Sequence, residues 1–153
     1  GTILCSSGLL VQLAILINGP ITISKVHLSE NTMVLGLIAA SIGLQLVYTG
    51  LFAYLFISSD AFQNKRSSIK SVIRYSNLEK GVIVGGLLFV AGFIGDGYIL
   101  WAWYKTNLGE LGIASVRQSI FFSTLLILGF QVIFASFFLN MIGVERATYA
   151  GDW

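Results

Sequence analysis

Three runs of this 153-residue chain, Thr32 to Ile57, Gly81 to Tyr104 and Ser119 to Val144, each exceed the roughly 20 apolar residues that cross a ~30 Å hydrocarbon layer. Asp96 is the single charge inside them. In hydrocarbon every backbone N–H and C=O must be paired internally, which leaves helices or closed barrels, and these runs are too long and too uniformly apolar for barrel strands. A fourth run, Ile3 to Ile17, is shorter and reads as a helix trimmed at its front end or completed by preceding residues. It lacks the basic flank and the Ala-x-Ala site of a signal peptide. Only 10% of the residues are charged, against ~25% in soluble domains. The expectation is an all-α integral membrane protein with four transmembrane helices, at about 3–17, 32–57, 81–105 and 117–143.

The four helices should form two repeated hairpins. GLQLVYTGLF at Gly43 to Phe52 returns as GFQVIFASFF at Gly129 to Phe138, and each copy sets a Gly two residues ahead of a Gln. Gly1 and Gly8 have the same spacing as Gly85 and Gly92, at an offset two residues smaller. A two-residue indel in one connecting loop accounts for the difference. The expected organisation is one transmembrane domain over 1–153, with repeat one at 1–57, a basic juxtamembrane loop at 58–80, repeat two at 81–143 and a tail at 144–153.

Charge orients the hairpins. The middle loop carries Lys65, Arg66, Lys70, Arg74 and Lys80 against Asp60 and Glu79, and the other two loops are poorer in cations. By the positive-inside rule this loop should be cytoplasmic, as should both termini and the tail. The plasma membrane of a prokaryote is the expected location. Phe62, Ile69, Val72, Ile73 and Tyr75 alternate with its cations at loosely helical spacing, which suits a cytoplasmic interfacial segment lying on anionic lipid. Tyr98, Trp101, Trp103 and Tyr104 form the aromatic belt at the opposite interface. Asn18-Gly19-Pro20 ends the first helix, and Ser29 to Asn31 can cap the second.

Three polar residues within the runs are candidate sites. Gln45 and Gln131 hold equivalent places in the two repeats, and an amide in hydrocarbon needs partners, so pairing between the second and fourth helices is expected, or else a lining for a lipid phosphate. Asp96, flanked as Gly95-Asp96-Gly97, is a candidate because intramembrane acids are usually functional, with a structural acid near the outer boundary as the alternative. Gly36, Ala40, Gly43, Gly85 and Gly92 suit close helix packing. Cys5 is unpaired and His27 is read as a loop residue, so no metal site is expected. No paired carboxylates and no phosphate-binding glycine loop appear, so no catalytic residue is assigned.

The order of a GPITI turn, GLQLVYTGLFAYLF, a basic loop closing in LEKGVIVGGLLFVAGF, and RQSIFFSTLLILGFQVIFASFFLNMIG resembles the C-terminal membrane region of polyisoprenyl-phosphate glycosyltransferases of family 2, the dolichol-phosphate mannose and glucose synthase group. The resemblance implies a cytoplasmic catalytic domain of GT-A type upstream, with an Asp-rich motif and Mg²⁺ or Mn²⁺, none of which lies in these residues. That domain would move a sugar from a nucleotide donor to a polyprenyl phosphate. The helices would anchor it and present the acceptor, and the chain alone would be the non-catalytic part. Arg66, Lys70 and Arg74 are the candidates for holding the acceptor phosphate on physical grounds. Expected partners are polyprenyl phosphate, anionic lipid, the bilayer and a homo-oligomeric copy, with no nucleic acid. Two alternatives stay open: a small four-helix transporter or lipid-linked-sugar flippase, and a non-catalytic assembly subunit.

Overall fold

A computed structural model describes residues 1–23, 26–60, 78–109 and 112–149. Four helices dominate it: α1 (Thr2–Asn18), α2 (Glu30–Asp60), α3 (Leu78–Lys105) and α4 (Ile113–Tyr149). Between α1 and α2 lies a small ribbon of β1 (Ile21–Ile23) and β2 (Val26–Leu28). Three helices are long and apolar enough to cross a membrane, over Glu30–Tyr54, Glu79–Lys105 and Ile113–Met141, and Thr2–Asn18 is a shorter apolar helix. This is the architecture of a helical integral membrane protein.

Local chemistry sets the boundaries. At the end of α1, Gly19 takes φ 78°, a conformation open to glycine, and its N–H reaches the Ile15 carbonyl at 3.0 Å. Pro20 then has no N–H with which to continue the helix. The ribbon pairs Ile21 with Leu28, Thr22 with His27 and Ile23 with Val26, antiparallel. His27, expected in a loop, is therefore a strand residue. Ser29 accepts the first α2 bond, from the Met33 N–H at 3.2 Å. Past the end of α3 the chain turns at Asn107 and Leu108, both left-handed at φ 56° and 59°. The helices outlast the apolar runs: α2 reaches Asp60, α4 starts at Ile113, and α4 continues through Tyr149 into the stretch expected as a tail. Helical hydrogen bonding satisfies the backbone in the interface as well as in hydrocarbon, so a fall in hydropathy does not end a helix.

Glycines decide how the helices meet. A Cβ on Gly8 would lie 2.7 Å from the Ala40 N and closer still to the Gly36 O, so α1 and α2 touch backbone to backbone. A Cβ on Gly92 would lie 2.5 Å from the Leu126 N and 2.6 Å from the Phe122 O, so α3 and α4 do the same. Lower in each pair, Gly1 meets Gly43 and Val47, and Gly85 meets Gly129 and Ile133. Each second set lies 84 residues on for α1 and α3, and 86 on for α2 and α4. Such approaches bring Cα–H groups within reach of facing carbonyls and maximise dispersion, the main sources of helix association where lipid removes the hydrophobic drive.

The main contacts give the lateral order α1, α2, α4, α3, with α2 beside α4 at the centre. These two run parallel, since Glu30 meets Arg117, Ser41 meets Gln131 and the Phe52 ring lies 6.0 Å from that of Phe138. One end of the bundle holds the C-terminal end of α2 and the start of α3. The other holds the end of α1, the ribbon and the α3–α4 turn.

Candidate functional site

Polar groups occur in this bundle at its helix seams. Gln12 is fully buried at 0% exposure. Its Nε2 donates to the Met33 carbonyl at 3.0 Å and to the Thr124 Oγ1 at 2.8 Å, tying α1 to both α2 and α4. The Thr124 hydroxyl in turn donates to the Ile120 carbonyl at 2.7 Å. Gln12 Oε1 is buried and has no partner among the described residues. Gln12 was not among the expected polar residues, because one amide in an uncharged run carries no motif. Its signal is the offset of 84 residues, which places it in register with Asp96.

Asp96 sits on the α3–α4 seam, half-buried, four residues past the middle of the α3 span. Its Oδ1 accepts from Ser119 Oγ at 3.1 Å and its Oδ2 from Ser123 Oγ at 2.8 Å. The serines are one helical turn apart on α4, which lets them hold both oxygens of one carboxylate. Gly95 beside it makes room for the Phe122 ring. The serine pair supplies the partner that the sequence alone left unidentified.

The two glutamines expected to pair do not meet. Gln131 donates through Nε2 to Ser41 Oγ at 2.8 Å, whereas Gln45 is exposed on α2. The amide does bridge the second and fourth long helices, but to a residue one turn from Gln45. Arg66, Lys70 and Arg74 lie outside the described residues, as does the interfacial segment Phe62 to Tyr75.

At the end of the bundle that carries the ribbon and the α3–α4 turn, Arg117 Nε faces Glu30 Oε1 at 3.6 Å, joining α4 to the start of α2. One cleft of about 250 Å³ opens here, lined by Leu16, Ile17, Asn18, Gly19, Ala114, Arg117 and Gln118. A second, of about 150 Å³, lies between the end of α3 and the start of α4, with Tyr98, Trp103, Thr106, Ser115 and Gln118 in its wall. The Trp103 Nε1 donates to the Gly109 carbonyl at 2.6 Å, and the Lys105 ammonium stands 5.2 Å over the Trp101 ring. Of the four aromatic residues at this end, Trp103 is thus tied to the residues that follow α3.

Among the described residues no three His, Cys, Asp or Glu side chains come together, so they offer no ligand set for the Mg²⁺ or Mn²⁺ of a glycosyltransferase.

Residues 51–143 match the glycosyltransferase family 2 C-terminal transmembrane region. The chain belongs to that family. The match starts in the second half of α2 and takes in α3 and most of α4, so it includes the basic segment, Asp96 and Gln131. No curated protein and no solved structure matches the chain.

Proposed function

We propose that this chain anchors a family 2 glycosyltransferase that moves a sugar from a nucleotide donor to a polyprenyl phosphate, and that its basic segment holds the acceptor phosphate. The observation that carries the reading is the family match, which spans the segment containing Lys65, Arg66, Lys70, Arg74 and Lys80. That segment joins α2 to α3 at one end of the bundle, and the positive-inside rule makes this end cytoplasmic. The α1 N-terminus points the same way and α4 ends there, so a catalytic domain attached to the chain would sit beside the cations. Here α1 acts as a fourth span, and the α1–α2 and α3–α4 pairs are copies of one hairpin, which their matching glycine contacts support.

The division of labour is physical. Bond making belongs to the catalytic domain. These residues hold the lipid tail in the bilayer and fix the phosphate at the interface, within one Debye length of the clustered cations, each contributing about 1 kcal/mol near an anionic surface. Arg66, Lys70 and Arg74 are the proposed contacts. Replacing all three with Gln should weaken crosslinking of a photoreactive polyprenyl phosphate in neutral-lipid vesicles by about 100-fold. A photoreactive polyprenol without phosphate should label both proteins equally. Undiminished phosphate labelling of the triple variant would end the assignment.

A further inference from the structure

We propose that the end of the bundle opposite the basic segment carries a second site, which takes the hydroxyl-rich sugar head group of a glycolipid. It lies in the two adjoining clefts at the start of α4. Gln118 lines both of them. Their volumes, about 150 and 250 Å³, fall below the ~300 Å³ at which pockets for drug-sized ligands begin, and so suit a small head group.

The wall chemistry selects the class of ligand. On one side stand Trp103, Tyr98, Thr106 and Ser115, an aromatic wall interleaved with hydroxyls. Since the Trp103 N–H is committed to the Gly109 carbonyl, its ring offers an apolar surface of fixed position rather than a donor. On the other side Arg117 and Asn18 bring fork-like and amide donors. Arg117 Nη1 lies 3.1 Å from where a Cβ on Gly19 would be, so the missing side chain leaves the guanidinium room at the cleft.

Charge then separates a sugar from a phosphate. Arg117 already faces Glu30, so the cation that lines the cleft is compensated by a carboxylate outside its wall, and an anion would find no free charge there. Glu30 Oε1 is itself buried and accepts no hydrogen bond among the described residues. A guanidinium whose charge is already met still has N–H groups to offer, which suits a neutral ligand that accepts hydrogen bonds, as a sugar hydroxyl does. Below the cleft, Ser115, Ser119 and Ser123 follow at one-turn intervals on α4 toward Asp96, continuing the hydroxyl-bearing face along the seam.

The site is independent of the acceptor-phosphate proposal. The decisive probe is an alkyl glucoside with a diazirine in its chain, applied to the full chain in nanodiscs, with labelled peptides mapped by mass spectrometry. Labelling should concentrate in 98–106 and 112–118, and Gln118→Ala, an exposed position, should cut it about tenfold. Arg66→Gln/Lys70→Gln/Arg74→Gln should leave it unchanged. Competition by free glucose would place recognition in the ring alone, whereas competition only by unlabelled alkyl glucoside would make the lipid tail part of the ligand. A diazirine alkane lacking the sugar that labels the same peptides equally would overturn the site, as would full labelling of both Gln118→Ala and the milder Trp103→Phe.

Discussion

A single methyl group at Gly8 or Gly92 would have nowhere to go. At Gly8 the new carbon would press on the Ala40 N at 2.7 Å, and backbone cannot swing aside as the end of a side chain can. Gly8→Ala should therefore destabilise the protein by about 1–3 kcal/mol, the usual cost of overpacking, despite a helix-propensity gain of up to about 1 kcal/mol. Gly86 on α3 meets nothing within 4 Å, so Gly86→Ala should be neutral or mildly stabilising. Unfolding of both variants in bicelles decides the matter, and a Gly8→Ala protein as stable as the parent would mean the helices are not in backbone contact. These glycines were legible in the sequence because their spacing recurs. Gln12 was not, because a lone amide announces itself only once its register with Asp96 is noticed. That register carries a further expectation, since each residue crosses a helix seam near its pair's glycine contact. Gln12→Leu should lose two hydrogen bonds, each worth about 0.6–2 kcal/mol, in the same unfolding assay. A loss below the lower figure would show that water already serves these groups.

At the scale of elements, the length of the uncharged apolar runs located the long helices, because hydrocarbon permits little else. Their lateral register was harder to read. Equivalent residues on two parallel helices face each other only when each lies on the shared seam, and the seam here passes through Ser41 and Gln131 while Gln45 points outward. A double-mutant cycle separates the two pairings. Ser41→Ala with Gln131→Leu should be non-additive by about 0.6 kcal/mol or more, whereas Gln45→Leu with Gln131→Leu should be additive within error. Coupling of the glutamines with none to Ser41 would reverse the register. The β-ribbon escaped for a different reason: Pro20 read as a stop and His27 as loop, yet the β-branched residues Ile21, Thr22, Ile23 and Val26 were the strand signal. Two three-residue strands fall below the length at which alternation shows itself.

For the whole molecule the open physical question is which end faces the cytoplasm, and charge and geometry bear on it together. Lys80 lies in the first turn of α3, at the end that receives the basic segment, and Asn107 follows α3 at the other. Between them α3 rises 1.5 Å per residue over some 27 residues, or roughly 40 Å, enough to separate the two positions by a full bilayer. The five cations at 65–80 outnumber the three in the other two connecting regions, Lys25, Lys105 and Arg117, of which Lys105 stands over Trp101 and Arg117 is matched by Glu30. Moving that cluster through the hydrocarbon is the costlier orientation, so the basic end should remain inside. With Cys5→Ser as background, Lys80→Cys should react with a membrane-impermeant maleimide only in inverted vesicles, and Asn107→Cys only in intact cells. Labelling of both from one side would contradict the spanning of α3. The opposite pair of results would leave the bundle standing but turn it over, placing the aromatic belt and its clefts on the cytoplasmic face and removing the basic segment from the side where nucleotide sugars are found.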